Sequence, residues 1–309
     1  MIKFIGISGL GRMGLAMAQR LLDLDFTVIG YDIDPARCSL FQDAGGLVVQ
    51  SNFALGSAAQ VVLSCLPSGE ALLALVSGQD GLAKREEAGS LTLIECSTLA
   101  IHDKLEARRL AASRGVLLLD CPISGGPSAA RDGKLTVFAS GDQGLIEQHQ
   151  GIFDGIATSC HIVGDFGMGT KMKFLANLLV AIHNVSAAEV LTLGAKAGFE
   201  PEYLCDVLIT TSGDSEMLRR RGPRMARQEY DSEYGIALET FAKDLLLISD
   251  FGRELECPLP LFSTATQLYL SAKAQGFGSA DTSSVGGLFR SIAGLDVFSP
   301  PSSRLGLPS

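Results

Sequence analysis

Strand-like segments stop at Gly164, and that break limits the possible folds more than any other feature of the chain. Upstream of it, short apolar runs at Lys3–Ser8, Phe26–Tyr31, Val61–Leu66, Leu91–Glu95, Val116–Leu119, Leu135–Ala139 and Cys160–Val163 read as strands. Helical patterns at Leu15–Leu22, Gly69–Val76 and His102–Ser113 fall between some of them. Asp34–Pro35 is a helix start, an N-cap acid followed by a proline at the first helical position. Such alternation predicts an α/β fold, a mostly parallel sheet with helices on both faces. Downstream, 170–196, 202–211, 235–253, 260–274 and 283–292 all read as helices. The expected organisation is therefore a sheet domain over 1–165, an all-helical domain over 166–298 and a loose tail over 299–309.

Charge and composition remove several classes. A net charge of −9 argues against a nucleic-acid partner. The seven cysteines are scattered without a CxxC pair, which fits reduced core thiols in a cytosolic protein. His102, His149, His161 and His183 are spread singly, so no metal site is expected and each histidine reads as a packing or surface residue. Met1–Ile7 enters a strand pattern directly, which predicts no leader. The apolar run at 174–195 is interrupted by Asn177, His183, Asn184 and Glu189, so it reads as a helix buried in protein and not as a membrane span.

Within the first domain, Gly9-Leu10-Gly11-Arg12-Met13-Gly14 matches GxGxxG with a strand before it and a helix after it. Gly9 permits the sharp turn, Gly11 admits a pyrophosphate, and Gly14 lets helix and strand approach closely. The helix N-terminus supplies amide N–H groups for phosphate. Asp32 closes the second strand, where an acid accepts from ribose hydroxyls. A carboxylate there repels a 2′-phosphate, which favours NAD over NADP, although Arg37 is close enough to blur the preference.

Two further turns follow strands. Ser97-Thr98 comes after Leu91–Glu95, with a cap for the next helix as its plainer reading. Asp120-Cys121-Pro122-Ile123-Ser124-Gly125-Gly126 offers one hydroxyl and two bare amides, a set suited to a carboxylate or simply to a glycine-rich loop. In 164–177, GDFGMGTKMKFLAN, a glycine turn enters an apolar helix pattern in which Lys173 and Asn177 lie about 40° apart on one face. The flanking Phe174, Leu175, Leu178, Leu179, Val180 and Ile182 are apolar nearly all round, which predicts a buried helix. A buried lysine needs a partner or a task. Lys171 points to nearly the opposite side and serves as the exposed comparison. The stretch 210–225, TTSGDSEMLRRRGPRM, reads as a surface loop with solvated arginines; its alternative is a contact of Ser212, Asp214, Ser215 and the arginines with hydroxyls or a second anion.

These motifs, in this order, resemble the β-hydroxyacid dehydrogenase family, also called the 3-hydroxyisobutyrate dehydrogenase family, over roughly residues 2–295. GLGRMG at 9–14 is similar to its cofactor turn, DCPISGG at 120–126 to its DxPVSGG loop, GMGTKMKFLAN at 167–177 to its GxGxxxKxxxN motif, and AKDLLLISD at 242–250 to its KDLxLA segment. The match at Ser97-Thr98 is partial, because Ile101 stands where the family's STxxP has proline. The resemblance implies a Rossmann-like N-terminal domain and an all-α C-terminal domain joined by a long interdomain helix, in homodimers or homotetramers. It implies that Ser124, Gly125 and Gly126 hold a substrate carboxylate, that Lys173 is the general acid/base and that Asn177 binds substrate. It places Lys243 near both nicotinamide and substrate with Asp244 beside it, and it adds Arg12, Met13, Leu66, Pro67, Ser97 and Thr98 to the cofactor contacts.

The implied reaction moves a hydride between NAD, or NADP, and the carbinol carbon of a small 3-hydroxy acid, while Lys173 takes or returns the hydroxyl proton. A lysine with an ordinary pKa near 10.4 must be lowered to act as a base near neutrality. Ala176 replaces the histidine of the 6-phosphogluconate dehydrogenase KxxHN pattern, and Lys173 argues against an imine reductase. Reduction of glyoxylate, succinic semialdehyde or tartronate semialdehyde, oxidation of a sugar acid such as threonate, and a non-catalytic NAD-binding module remain as alternatives.

Overall fold

The computed structural model describes residues 4–84, 90–231 and 235–297. The tail expected over 299–309 and the expected strand start at Lys3 lie outside them. The chain forms two compact units, Met1–Lys173 and Phe174–Ser309.

The first unit opens with β1 (Ile5–Ser8), α1 (Arg12–Asp23), β2 (Val28–Tyr31), α2 (Pro35–Asp43), β3 (Leu47–Val48), α3 (Asn52–Ala58) and β4 (Val61–Ser64). It continues with α4 (Gly69–Ser77), β5 (Leu91–Glu95), α5 (Ile101–Ala112) and β6 (Val116–Asp120). These strands form one parallel sheet in the order β3-β2-β1-β4-β5-β6. The residues of β1, β4 and β5 are buried throughout, as strands covered on both faces require. Side-chain caps set several helix starts. Asp34 accepts from Ala36 N ahead of Pro35, and Ser51 and Ser68 accept from Ala54 N and Ala71 N. The strand order reverses direction between β1 and β4, so the crevice beyond their carboxyl ends is the ligand position of such a sheet.

Beyond β6 come β7 (Ile123–Ser124), α6 (Pro127–Arg131), β8 (Leu135–Ala139), α7 (Gln143–Gln148), α8 (Gln150–Ile156) and β9 (Ala157–Ile162). Here the sequence expectation needs correction. The runs at 135–139 and 160–163 do not extend the parallel sheet; they build a second, three-stranded sheet in the order β7-β8-β9, with β7 antiparallel to β8. The cause is the turn at Asp120–Ser124. Cys121 N still bonds Glu95 O, but Asp120 pairs antiparallel with Ser140 and the chain leaves the first sheet.

From Gly164 onward the described elements are helices: α9 (Met168–Lys196), α10 (Pro201–Leu208), α11 (Glu216–Arg227), α12 (Leu238–Glu254), α13 (Pro260–Ala272) and α14 (Val285–Ile292), with short 3₁₀ and π turns between the last of them. Two expectations change. The stretch 210–225 is not wholly a loop, because Ser215 caps α11 and Arg221 and Arg224 pair with the buried Asp281 carboxylate. Nor is α9 buried all round. Leu175, Leu179 and Leu193 are 53%, 52% and 69% exposed, while Phe174, Ala181, Ala188 and Leu191 are buried. By length and composition α9 could also cross a membrane. Its buried side meets aromatic partners; Phe174, for one, lies 5.5 Å from the Phe251 ring.

Candidate functional site

Three glycines shape the first turn, and their surroundings tell two kinds of requirement apart. At Gly9 (φ +87°) an added Cβ would sit 2.3 Å from Cys65 O, and at Gly14 it would sit 1.8 Å from Gly9 O. Both are glycines because the protein itself leaves no room. At Gly11 the nearest atom to such a Cβ is Arg37 Nη1, 3.7 Å away. The fold does not demand glycine there, so the bare backbone is open to a ligand, which fits the phosphate cradle of a dinucleotide. Met13 is half-buried and Arg12 exposed along the same rim.

The Asp32 carboxylate spans this turn, with Oδ2 accepting from Leu10 N at 2.7 Å and Oδ1 from Asp34 N at 2.9 Å. Arg37 is steered by Asp34, at 3.6 Å. Leu66, with Pro67 after it, continues from β4 against Gly9, and the Leu66 amide donates to Ser97 Oγ at 2.8 Å. Ser97 is thus buried and ties the ends of β4 and β5 together. Neither Ser97 nor Thr98 caps α5, whose N-cap is Ala100 without a side-chain bond.

Ser124 occupies β7 opposite Thr136. Ser124, Gly125 and Gly126 are each half-buried. Gly125 (φ +131°) has Leu135 Cδ2 at 2.7 Å from an added Cβ, whereas Gly126 has nothing within 4 Å. Gly126, like Gly11, leaves open space.

Lys173 and Asn177 are 8% and 5% exposed, one turn apart on α9, while Lys171 is half-buried. In the second unit Asn177 Nδ2 donates to Asp244 Oδ2 at 2.9 Å, and Lys243 Nζ lies 3.6 Å from Asp244 Oδ1. Asp244 therefore holds the nitrogen end of the Asn177 amide and leaves its oxygen end to other donors.

Sequence reasoning missed one group altogether. Lys104 is fully buried, with its Nζ 2.5 Å from Glu95 Oε2, 2.7 Å from Asp120 Oδ1 and 2.7 Å from Ser97 O. Burial opposes the ammonium form, but the charges of Asp120 and Glu95 outweigh it and hold the Lys104 pKa above the usual lysine range. Asp120 also accepts from Thr170 N at 2.8 Å and Thr170 Oγ1 at 2.7 Å, and Ser140 Oγ accepts from Gly169 N at 2.9 Å. The signal was present: Lys104 shares the buried face of α5 with Ala107 and Ala111. Among the described residues no His, Cys, Asp and Glu side chains gather in threes as a metal site.

The fold and these turns define a nicotinamide-dinucleotide oxidoreductase, and comparison with known proteins gives the family. Residues 4–164 match the NAD-binding domain of 6-phosphogluconate dehydrogenase, and residues 167–289 match the NAD-binding domain of NADP-dependent 3-hydroxyisobutyrate dehydrogenase. The chain is 33% identical to L-threonate dehydrogenase of Cupriavidus necator, over 94% of this chain and 98% of that protein. It is 32% identical to human mitochondrial 3-hydroxyisobutyrate dehydrogenase, over 91% and 85%. The solved structure of 3-hydroxyisobutyrate dehydrogenase from Mycobacterium tuberculosis with L-serine superposes with a TM-score of 0.83 at 28% identity, covering 94% of this chain and 100% of that one. The chain belongs to the 3-hydroxyisobutyrate dehydrogenase family and is an NAD(P)-dependent hydroxyacid dehydrogenase.

Proposed function

We propose that the protein interconverts a small 3-hydroxy acid and its semialdehyde or keto acid, with Lys173 as general acid/base. The observation that carries this reading is that Lys173 and Asn177 are both buried and lie one turn apart on α9. A buried lysine one turn from a buried asparagine is a geometry suited to proton transfer at a hydroxyl that the asparagine orients.

Each group then has a defined part. The Ser124 hydroxyl and the Gly125 and Gly126 amides receive the substrate carboxylate, for which Gly126 leaves space. Asn177, held by Asp244, orients the substrate hydroxyl beside Lys173. Lys173 accepts the hydroxyl proton during oxidation and returns it during reduction. Bound nicotinamide supplies the hydride acceptor or donor. Gly9, Gly11, Arg12, Met13 and Gly14 line the phosphate turn, Asp32 faces the ribose, and Leu66, Pro67, Ser97 and Thr98 adjoin them in the first unit. Asp32 favours NAD over NADP, because its carboxylate would repel a 2′-phosphate.

Threonate is the second reading for the substrate, supported by full-length likeness to L-threonate dehydrogenases. The exposed row Leu175, Leu179 and Leu193 supports a homodimer or homotetramer in which a second copy covers α9.

The deciding experiment is initial-rate assay of 3-hydroxyisobutyrate, glycerate, threonate, 4-hydroxybutyrate and 3-hydroxypropionate with NAD⁺ and with NADP⁺. One acid should turn over with a strong preference for NAD⁺. Stoichiometric NAD⁺ binding without turnover of any acid would overturn the reading in favour of a binding module.

A further inference from the structure

We propose that Lys104 is a positioning residue: its ammonium, clamped between Glu95 and Asp120, fixes the acceptor on which the first turn of α9, and with it Lys173, is seated. The inference rests on the reading of Lys173 as the proton carrier, but the seating itself can be measured without it.

The ammonium of Lys104 donates to Ser97 O in the turn after β5 and to Asp120 Oδ1 at the end of β6, and it forms an ion pair with Glu95 Oε2 at the end of β5. It fixes two neighbouring strand ends relative to α5. Asp120 passes that constraint on. Its carboxylate receives both the amide and the hydroxyl of Thr170, a negative charge set at the amino end of a helix of 29 residues. Gly169 leaves the helix no alternative seat, because a Cβ there would lie 2.6 Å from Asp120 O and 2.4 Å from Phe138 O. Lys173 follows Gly169 by one turn, so its position is inherited from this contact.

The titratable groups facing Lys104 are Glu95 and Asp120, with the Cys96 and Cys121 thiols next to them in the chain. Burial pushes both thiols well up, so they stay neutral. Removing the ammonium therefore leaves two buried carboxylates side by side without a cation, and such a pair retains a shared proton to unusually high pH.

The test is Lys104→Met in the full chain, assayed with the panel acid that turns over fastest. With Lys173 misplaced, kcat should fall by about tenfold to a hundredfold while NAD⁺ affinity stays within about threefold. Part of the loss should return as the pH is lowered from about 8 to about 6, when the carboxylates regain a proton; the wild type should show no such recovery. Amide exchange of residues 168–173 should quicken in the variant. If Lys104→Met does not fold, Thr170→Val decides by kcat and by 168–173 exchange, since it leaves the charged triad intact and deletes one bond to Asp120. A folded variant with a lower Tm but a wild-type kcat, pH profile and 168–173 exchange overturns the proposal. Should the wild type turn over no acid on the panel, the role of Lys173 fails, and the exchange measurement alone upholds or refutes the seating.

Discussion

Asn177 Nδ2 donates to Asp244 Oδ2 at 2.9 Å, so a carboxylate on α12 sets which end of an amide on α9 is free. Neither residue can do this alone, because an unrestrained amide presents nitrogen and oxygen equally. Asp244→Ala should lower kcat/KM for the hydroxy acid by about tenfold to a hundredfold, mostly through KM, and leave the unfolding midpoint within a few degrees. Asp244→Asn should cost less, since its oxygen still accepts. Steady-state kinetics of both variants check this; equal kinetics for wild type and Asp244→Ala would remove Asp244 from the site.

Gly11 and Gly14 make opposite predictions. A methyl at Gly14 meets Gly9 O at 1.8 Å, so Gly14→Ala should destabilise the first unit by about 3 kcal/mol. A methyl at Gly11 meets no atom closer than 3.7 Å, so Gly11→Ala should change stability by less than about 1 kcal/mol. Only the phosphate approach is obstructed there, and NAD⁺ affinity should drop by about tenfold. Urea unfolding and titration calorimetry separate the two effects.

Lys173→Ala should reduce kcat by about 10³-fold while NAD⁺ binding persists, because the substitution removes the proton carrier and no cofactor contact. Lys173→Arg should not restore the rate, since a guanidinium does not give up its proton near neutrality. Pre-steady-state absorbance at 340 nm with saturating cofactor measures this directly; hydride transfer at the wild-type rate in Lys173→Ala would refute the assignment.

What was legible in the sequence was local. Gly9–Gly14, Asp34–Pro35 and the i,i+4 pair on α9 are written in turn chemistry and periodicity, and each has its expected local form in the structure. What escaped was set by distant partners. Pro223, Gly222 and three consecutive arginines made α11 read as loop, yet Ser215 caps it and Asp281, 60 residues away from Arg221, neutralises its inner face. Lys104 sits 16 residues from Asp120, and nothing in the spacing announces that the sheet brings them together. The departure of β8 and β9 from the first sheet likewise depends on a bridge from Asp120 to Ser140.

His149 supplies a pH dependence with a definite sign. Its Nε2 lies 3.0 Å from Thr92 Oγ1 in the core of the first unit, and burial pushes its pKa down. The folded protein therefore holds the ring neutral at a pH where the unfolded chain, with a pKa of about 6.5, already binds a proton. The stability that His149 contributes is complete above about pH 6.5 and is lost as the pH falls through that value toward the lowered folded pKa. Urea midpoints at about pH 7.5 and about pH 5.5 should differ, and His149→Gln should reduce the difference, since glutamine keeps a polar contact to Thr92 but does not titrate. An unchanged slope in His149→Gln would assign the acid sensitivity to carboxylates such as Asp281, which is held below its usual range although burial raises it, by Arg221, Ser283 and Arg224.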